Sequence, residues 1–345
     1  MTPAEDIRVL FVRTAFSLSE VKNTLADAAR ILSYREDPSK HRADALSQCN
    51  RLANSLEIDP FASNRTNAFP NRILCNLGRE GGNYYESVSA DFLFFGVKSD
   101  VTQILASEVA EDYPSRIDAV DVGENTFKLW NWMQRLDDTY LTRYDYIWFM
   151  DGDMILSSLN WQGFWQQVAM FRPKMAQPAT IGTSPGAVNT YHPVLRHQQD
   201  SRVLAAETAL VEFGAPLMEV PTWLGFRDAL SCVPKIMDDL QAGAENCLDV
   251  AWCHYARANL TGGQEVPPIR AEKRTAYADG SLAYPLNGNS SRSQFKERSC
   301  VVLYQTPLIH GNKKTMGKKS YKFRQVGAQL RHQTRAPQQG VCMTS

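Results

Sequence analysis

The stretch YDYIWFMDGDM, residues 144–154, decides how the fold is read. Five apolar side chains stand in a row from Tyr146 to Met150. A strand with one wet face alternates apolar and polar residues, so an unbroken run points to a strand covered on both faces. Two carboxylates separated by one glycine follow at once. In extended geometry residues i and i+2 point the same way, so Asp151 and Asp153 are able to converge on one cation. Gly152 permits a tight turn and the close approach of a ligand. A hard divalent cation, Mn²⁺ or Mg²⁺, suits such a pair, with diphosphate oxygens completing its shell. The competing reading is a strand that ends in a solvated acidic turn. The twelve-residue ligand pattern of an EF-hand does not follow.

Strand and helix signals alternate on the N-terminal side of this stretch. RILCNL (72–77) is a short β-type run, and DFLFFGVK (91–98) is almost wholly apolar. VTQILASEVAEDY (101–113) has helical spacing, RIDAVDVG (116–123) is strand-like, and TFKLWNWMQRLDDTYLT (126–142) is helical again. Apolar strands separated by helices of about a dozen residues indicate a parallel sheet covered on both faces. A βαβαβ order with polar groups at strand C-terminal ends is the nucleotide-binding pattern. By that rule Asp121, ending its strand, is a candidate partner of the base or ribose, or else a turn residue.

Farther upstream, residues 17 to about 57 read as helical, from SLSEVKNTLADAARIL to DALSQCNRLANSL. The loop IDPFASNRTNAFPNR (58–72) marks a change of composition and a boundary near residue 70. The segment IRVLFVRTAF (7–16) contains two arginines and lacks the apolar core and cleavage site of a signal peptide. Downstream of residue 155 the alternation weakens, and Pro and Gly accumulate in PATIGTSPGAVNTYHP, GGQEVPP and YPLNGNSSRS. A loop-rich substrate half carried on a sheet has this character.

Apolar residues make up 43 % of the 345-residue chain and aromatics 10 %, as in a folded globular protein. Lys+Arg and Asp+Glu both count 37, so no global field draws the chain onto nucleic acid or an anionic membrane. No stretch approaches the length of a bilayer span, so a membrane is reached only through an anchor outside this chain. The expected compartment is the Golgi or another secretory lumen if such an anchor exists, and the cytoplasm otherwise. Seven cysteines without a CxxC pair argue against zinc. Three glycosylation sequons begin at Asn64, Asn259 and Asn289, about as many as chance supplies.

At this point the sequence resembles the GT-A-fold glycosyltransferases, whose DxD motif binds the metal of a metal–sugar-nucleotide complex. More narrowly it resembles a plant-rich family of glycosyltransferase-like proteins labelled lysine-ketoglutarate reductase trans-splicing-related. The matching segments span about residues 90 to 320: FFGVKSDV, YDYIWFMDGDM, Gln177-Pro178-Ala179, EVPTWLGFRDAL, NCLDVAW and LIHGNKKTMG. The family's Trp-Asp-Glu-Asp appears here as Met-Asp-Gly-Asp, nearer the general glycosyltransferase pattern.

The resemblance implies further site residues. Gly96 and Lys98, ending the DFLFFGVK run, fall where the nucleotide base lies in this fold, or else are turn residues. Asp249, early in CLDVAWCHYARANL, takes the place of the acid that faces the acceptor hydroxyl and acts as general base. An acid there also suits a helix N-terminus for purely structural reasons. His310, after the apolar run CVVLYQTPLIH, takes the place of a late third metal ligand, or is a plain loop histidine. Lys313 and Lys314 then stand near the diphosphate, within a basic run that continues through Lys318, Lys319, Lys322 and Arg324 and whose distal half reads as a solvated charged face. His192, His197 and His254 have no partner spacing that makes a site.

The expected protein is α/β, with a GT-A-like, Rossmann-type, mostly parallel sheet flanked by helices. Its organisation is a helical N-terminal extension (1–70), a GT-A-like domain (71–325) and a flexible C-terminal tail (326–345). The expected reaction moves a sugar from a UDP- or GDP-linked donor to a hydroxyl acceptor, a glycan or glycoconjugate. The competing readings are a nucleotidyltransferase-like enzyme that releases pyrophosphate, and a catalytically silent module that binds glycan or nucleotide.

Overall fold

The apolar runs form strands whose side chains are buried on both faces. The computed structural model describes residues 7–15, 18–34, 88–96, 117–121, 128–156, 159, 161–182, 203–208, 210–242, 248–260, 274–277 and 298–310. Strand β1 (Ile7–Ala15) pairs in parallel with β2 (Val88–Gly96) and with β4 (Tyr146–Asp151), and β2 pairs in parallel with β3 (Ile117–Asp121). This half of the sheet therefore runs β3-β2-β1-β4.

Beyond β4 the sheet becomes mixed. β8 (Leu217–Glu219) is antiparallel to both β4 and β6 (Pro173–Gly182), and β6 is parallel to β10 (Arg298–His310). β7 (Val203–Glu207) and β9 (Arg274–Tyr277) complete that side in antiparallel pairings. The two-residue β5 (Met154–Ile155) pairs with the end of β10. The protein is thus α/β, a mixed sheet flanked by helices.

Strand alternation sorts the core into two layers. Val9, Phe11, Phe92, Phe94, Trp148 and Met150 face α1 (Leu18–Tyr34) and an aromatic helix whose Trp161, Phe164 and Trp165 join the same cluster. Trp148 stacks on Phe164 with ring centroids 4.3 Å apart. On the other face Leu10, Val12, Phe95, Ile147 and Phe149 meet α2 (Lys128–Arg135), and Trp132 stacks on Phe149 at 4.2 Å. The short α3 (Asp138–Leu141) follows, its Asp137 cap accepting the Thr139 amide at 2.7 Å. The aromatic helix is α4 (Trp161–Phe171). Helices α5 (Val220–Ser231), α6 (Pro234–Gln241) and α7 (Leu248–Leu260) belong with the second layer, and α5 and α6 each open with proline in the first turn. Cys253 of α7 is disulfide-bonded to Cys300 of β10, and Cys232 is disulfide-bonded as well.

The expected helical extension over residues 1–70 is corrected in its first part. Residues 7–15 are a strand at the middle of the parallel half, with Val9, Leu10 and Val12 each 0 % exposed. Burial on both faces explains the run VLFV, and a buried ion pair neutralises Arg13 beside it. The helix expected from residue 17 is observed as α1, which packs on β1 and β2 as part of the same layer. The remaining helical stretch to residue 57, the boundary near 70, RILCNL, VTQILASEVAEDY and the tail 326–345 lie outside the described residues. Among the described residues no helix is long and apolar enough to cross a membrane.

Candidate functional site

Parallel pairing brings several chemically useful strand ends to one edge. Thr14 stands in register with Asp151, Ala15 with Gly96, and Gly96 with Asp121. The C-terminal ends of β3, β2, β1 and β4 thus form one line, from Asp121 through Gly96 to Asp151. β10 ends at the same edge, because it is parallel to β6 and β6 is aligned with β4 through the antiparallel β8. The chain leaves β4 through the turn Gly152–Asp153 and enters β5, whose Met154 is in register with His310. The acidic turn and the end of β10 are therefore neighbours on the backbone. Side chains of Asp121, Asp249 and His310 lie outside the described residues, as do Lys98, Lys313 and Lys314 altogether.

Asp151 carries a charge partner that sequence reasoning missed. Its Oδ1 accepts a hydrogen bond from Nζ of Lys128, the first residue of α2, and the two form an ion pair. The lysine side chain is 7 % exposed and the aspartate side chain 20 %. Alternation along β4 points Asp151 toward the α2 layer, with Ile147 and Phe149, which is why this helix supplies the partner. A cation at a helix N-terminus opposes the macrodipole, so its placement there reflects the carboxylate and not helix stability. That mismatch is the signal that could have found it.

Packing holds the turn tightly on its other sides. A Cβ added at Gly152 would meet the carbonyl oxygen of Thr14 at 2.8 Å and Oε2 of Glu20 at 2.9 Å. Glu20, in the first turn of α1, is 2 % exposed, so a buried carboxylate backs the motif. The Asp151 amide donates to the carbonyl of Gly214 at 2.9 Å. That carbonyl belongs to a segment also anchored to α7: the Trp252 indole donates to the Val211 carbonyl at 2.9 Å, and its ring lies 4.6 Å from Phe213. Helix α7, which carries Asp249 in its first turn, is thus linked to the acidic turn through Trp252 and residues 211–214.

The donor chemistry fits a hard cation that shares its shell with a ligand. Asp151 and Asp153 provide carboxylate oxygens at one turn, and a Mg²⁺-type ion is commonly held by one or two carboxylates plus substrate phosphates. Among the described residues no group of three His, Cys, Asp or Glu side chains forms a self-sufficient metal site. Lys128 adds a positive charge beside the same carboxylate, so one acidic and one basic side chain meet at this edge. No protein-family model matches this chain, and no curated protein is significantly similar to it.

Proposed function

We propose that this chain is a metal-dependent glycosyltransferase of the GT-A kind, moving a sugar from a nucleotide-sugar donor to the hydroxyl of a glycan or glycoconjugate. The observation that carries the reading is the acidic turn Asp151–Gly152–Asp153 at the carboxyl end of a buried parallel strand, with Lys128 and the end of β10 beside it. The order β3-β2-β1-β4 supports a Rossmann-type nucleotide half, since ligands bind outside the carboxyl ends of such strands. In this reading Asp151 and Asp153 hold Mn²⁺ or Mg²⁺ with the donor diphosphate, and His310 supplies a third donor. The ion's chemistry is Lewis-acid stabilisation of the leaving diphosphate.

The chain's own groups divide the remaining work. Lys128 turns part of its charge from Asp151 to a phosphate oxygen when the donor binds, and Lys98, Lys313 and Lys314 offset further negative charge. Gly96 and Asp121 flank the nucleoside. Asp249 accepts the proton of the attacking hydroxyl as general base. The disulfide between Cys253 and Cys300 supports maturation in an oxidising compartment, a secretory lumen such as the Golgi.

Calorimetry with UDP and with GDP, with and without Mn²⁺, tests the reading on the wild type and on Asp153→Ala. Mn²⁺-dependent binding is expected for one of the two nucleotides, weakened tenfold or more by the substitution, which corresponds to about 1.4 kcal/mol. A wild type that binds neither nucleotide in any metal condition overturns the proposal. One observation favours a second reading, a nucleotide-binding module without turnover: Lys128 already satisfies one oxygen of Asp151. Equal binding in EDTA and in Mn²⁺, with no transfer to any acceptor, would select it.

A further inference from the structure

Arg13 occupies a position of β1 whose neighbours on the same face, Val9, Phe11 and Ala15, belong to the first apolar layer. The residue is 2 % exposed. A guanidinium in such a slot is costly unless its charge is paired and most of its donors are used, and here only Nε lacks a partner among the described residues. Nη1 donates to Oδ2 of Asp27 on α1 at 2.8 Å. Nη2 donates to the carbonyl of Gly152 at 3.0 Å and to the carbonyl of Met154. The same oxygen of Asp27 accepts the Leu156 amide at 3.3 Å. One buried ion pair therefore grips the backbone at residues 152, 154 and 156, on both sides of Asp153. It also holds β5, which pairs with the end of β10 at His310.

We infer that the Arg13–Asp27 pair is a positioning device for the acidic turn and for the β10 end beside it. It fixes the direction in which Asp153 and the backbone at His310 meet a nucleotide, without touching that ligand. Filling the slot would not require charge, because apolar residues replace a buried ion pair with little or no loss of stability. The ligand part of the inference rests on the function proposed above, and the conformational part does not.

The test is the paired substitution Arg13→Met/Asp27→Leu, which removes both charges together. It is read by thermal melting, by hydrogen exchange and by UDP and GDP binding in Mn²⁺. The expected variant melts near the wild type, exchanges the amides of residues 153–155 at least tenfold faster, and leaves those of Ile147, Trp148 and Phe149 unchanged. Its nucleotide affinity falls tenfold or more. Wild-type exchange at 153–155 overturns the positioning role whatever the ligand result, and faster exchange with wild-type affinity overturns its link to the site. A wild type that binds no nucleotide sinks the proposed function alone, and exchange still decides the clamp. Should the paired variant not fold, Arg13→Lys keeps the charge but loses the fork. A folded Arg13→Lys with wild-type exchange and affinity overturns the inference.

Discussion

Lys128 and Asp151 each make the other tolerable where it stands: the lysine neutralises a strand-end carboxylate, and the carboxylate holds a cation at the wrong end of a helix. Lys128→Met is expected to cost about 1–3 kcal/mol, because it leaves a largely buried carboxylate without its charged donor. Adding Asp151→Asn in that background is expected to recover part of the loss, as chemical denaturation would measure. If the two substitutions simply add, the ion pair is not a unit. Gly152→Ala belongs to the same scale. Its new methyl would meet the Thr14 carbonyl at 2.8 Å, and a backbone atom cannot swing aside as a side chain does. The expected loss is about 1–3 kcal/mol, with weaker nucleotide binding in the same variant.

Among the elements, β4 and β10 were legible because strands covered on both faces announce themselves as apolar runs. β1 has the same run, yet Arg8 and Arg13 break its apolar pattern, and no strand was expected there. The partner that cancels Arg13 is Asp27, on the next helix, and no local periodicity exposes a pairing made through space. That Asp151 and Asp153 follow directly on a buried strand was readable from the apolar run before them. Lys128 was not, since its meaning depends on α2 lying against the carboxyl end of β4. The α7–β10 contact was equally hidden, because cysteine spacing does not state connectivity. Reducing the Cys253–Cys300 bridge, across a separation of 47 residues, is expected to cost about 4 kcal/mol by loop-closure entropy. Melting with and without a reductant measures it, against a Cys253→Ser/Cys300→Ser control. Tyr304 of β10 is 0 % exposed, and burial holds its phenol above the usual value of 10.0. Tyr144 is raised by burial and by its hydrogen bond with Tyr140. Both stay protonated in the folded state above pH 10, where the unfolded chain has begun to lose those protons. Stability should therefore be insensitive to them below pH 10 and fall above it, by about 1.4 kcal/mol per pH unit for each phenol. Tyr304→Phe should make the alkaline decline shallower in a series of denaturation curves.

For the molecule as a whole, the central place of β1 has the largest consequence. Removal of residues 1–16 should abolish the cooperative thermal transition, since β2 and β4 would lose the strand that joins them. A truncated chain that melts like the intact one would show that the sheet does not need β1 to join β2 and β4. The two layers also explain why the α/β class was readable before any pairing was known: alternation of apolar strand runs with helical spacing specifies layers, whereas strand order depends on contacts across more than a hundred residues. The same placement matters while the protein is being made. β1 is translated before its partners, and β2 and β4 emerge roughly 80 and 135 residues later, about 4–16 s and 7–27 s at ordinary elongation rates of 5–20 residues per second. Through that wait β1 lacks both of its strand partners, beside identical segments on neighbouring ribosomes. Arg8 and Arg13 bracket its stickiest residues, Val9 to Val12, and like charges on two such chains oppose their alignment. Arg13, buried in the folded sheet, is thus a charged residue flanking an apolar run for as long as that strand stands unpaired.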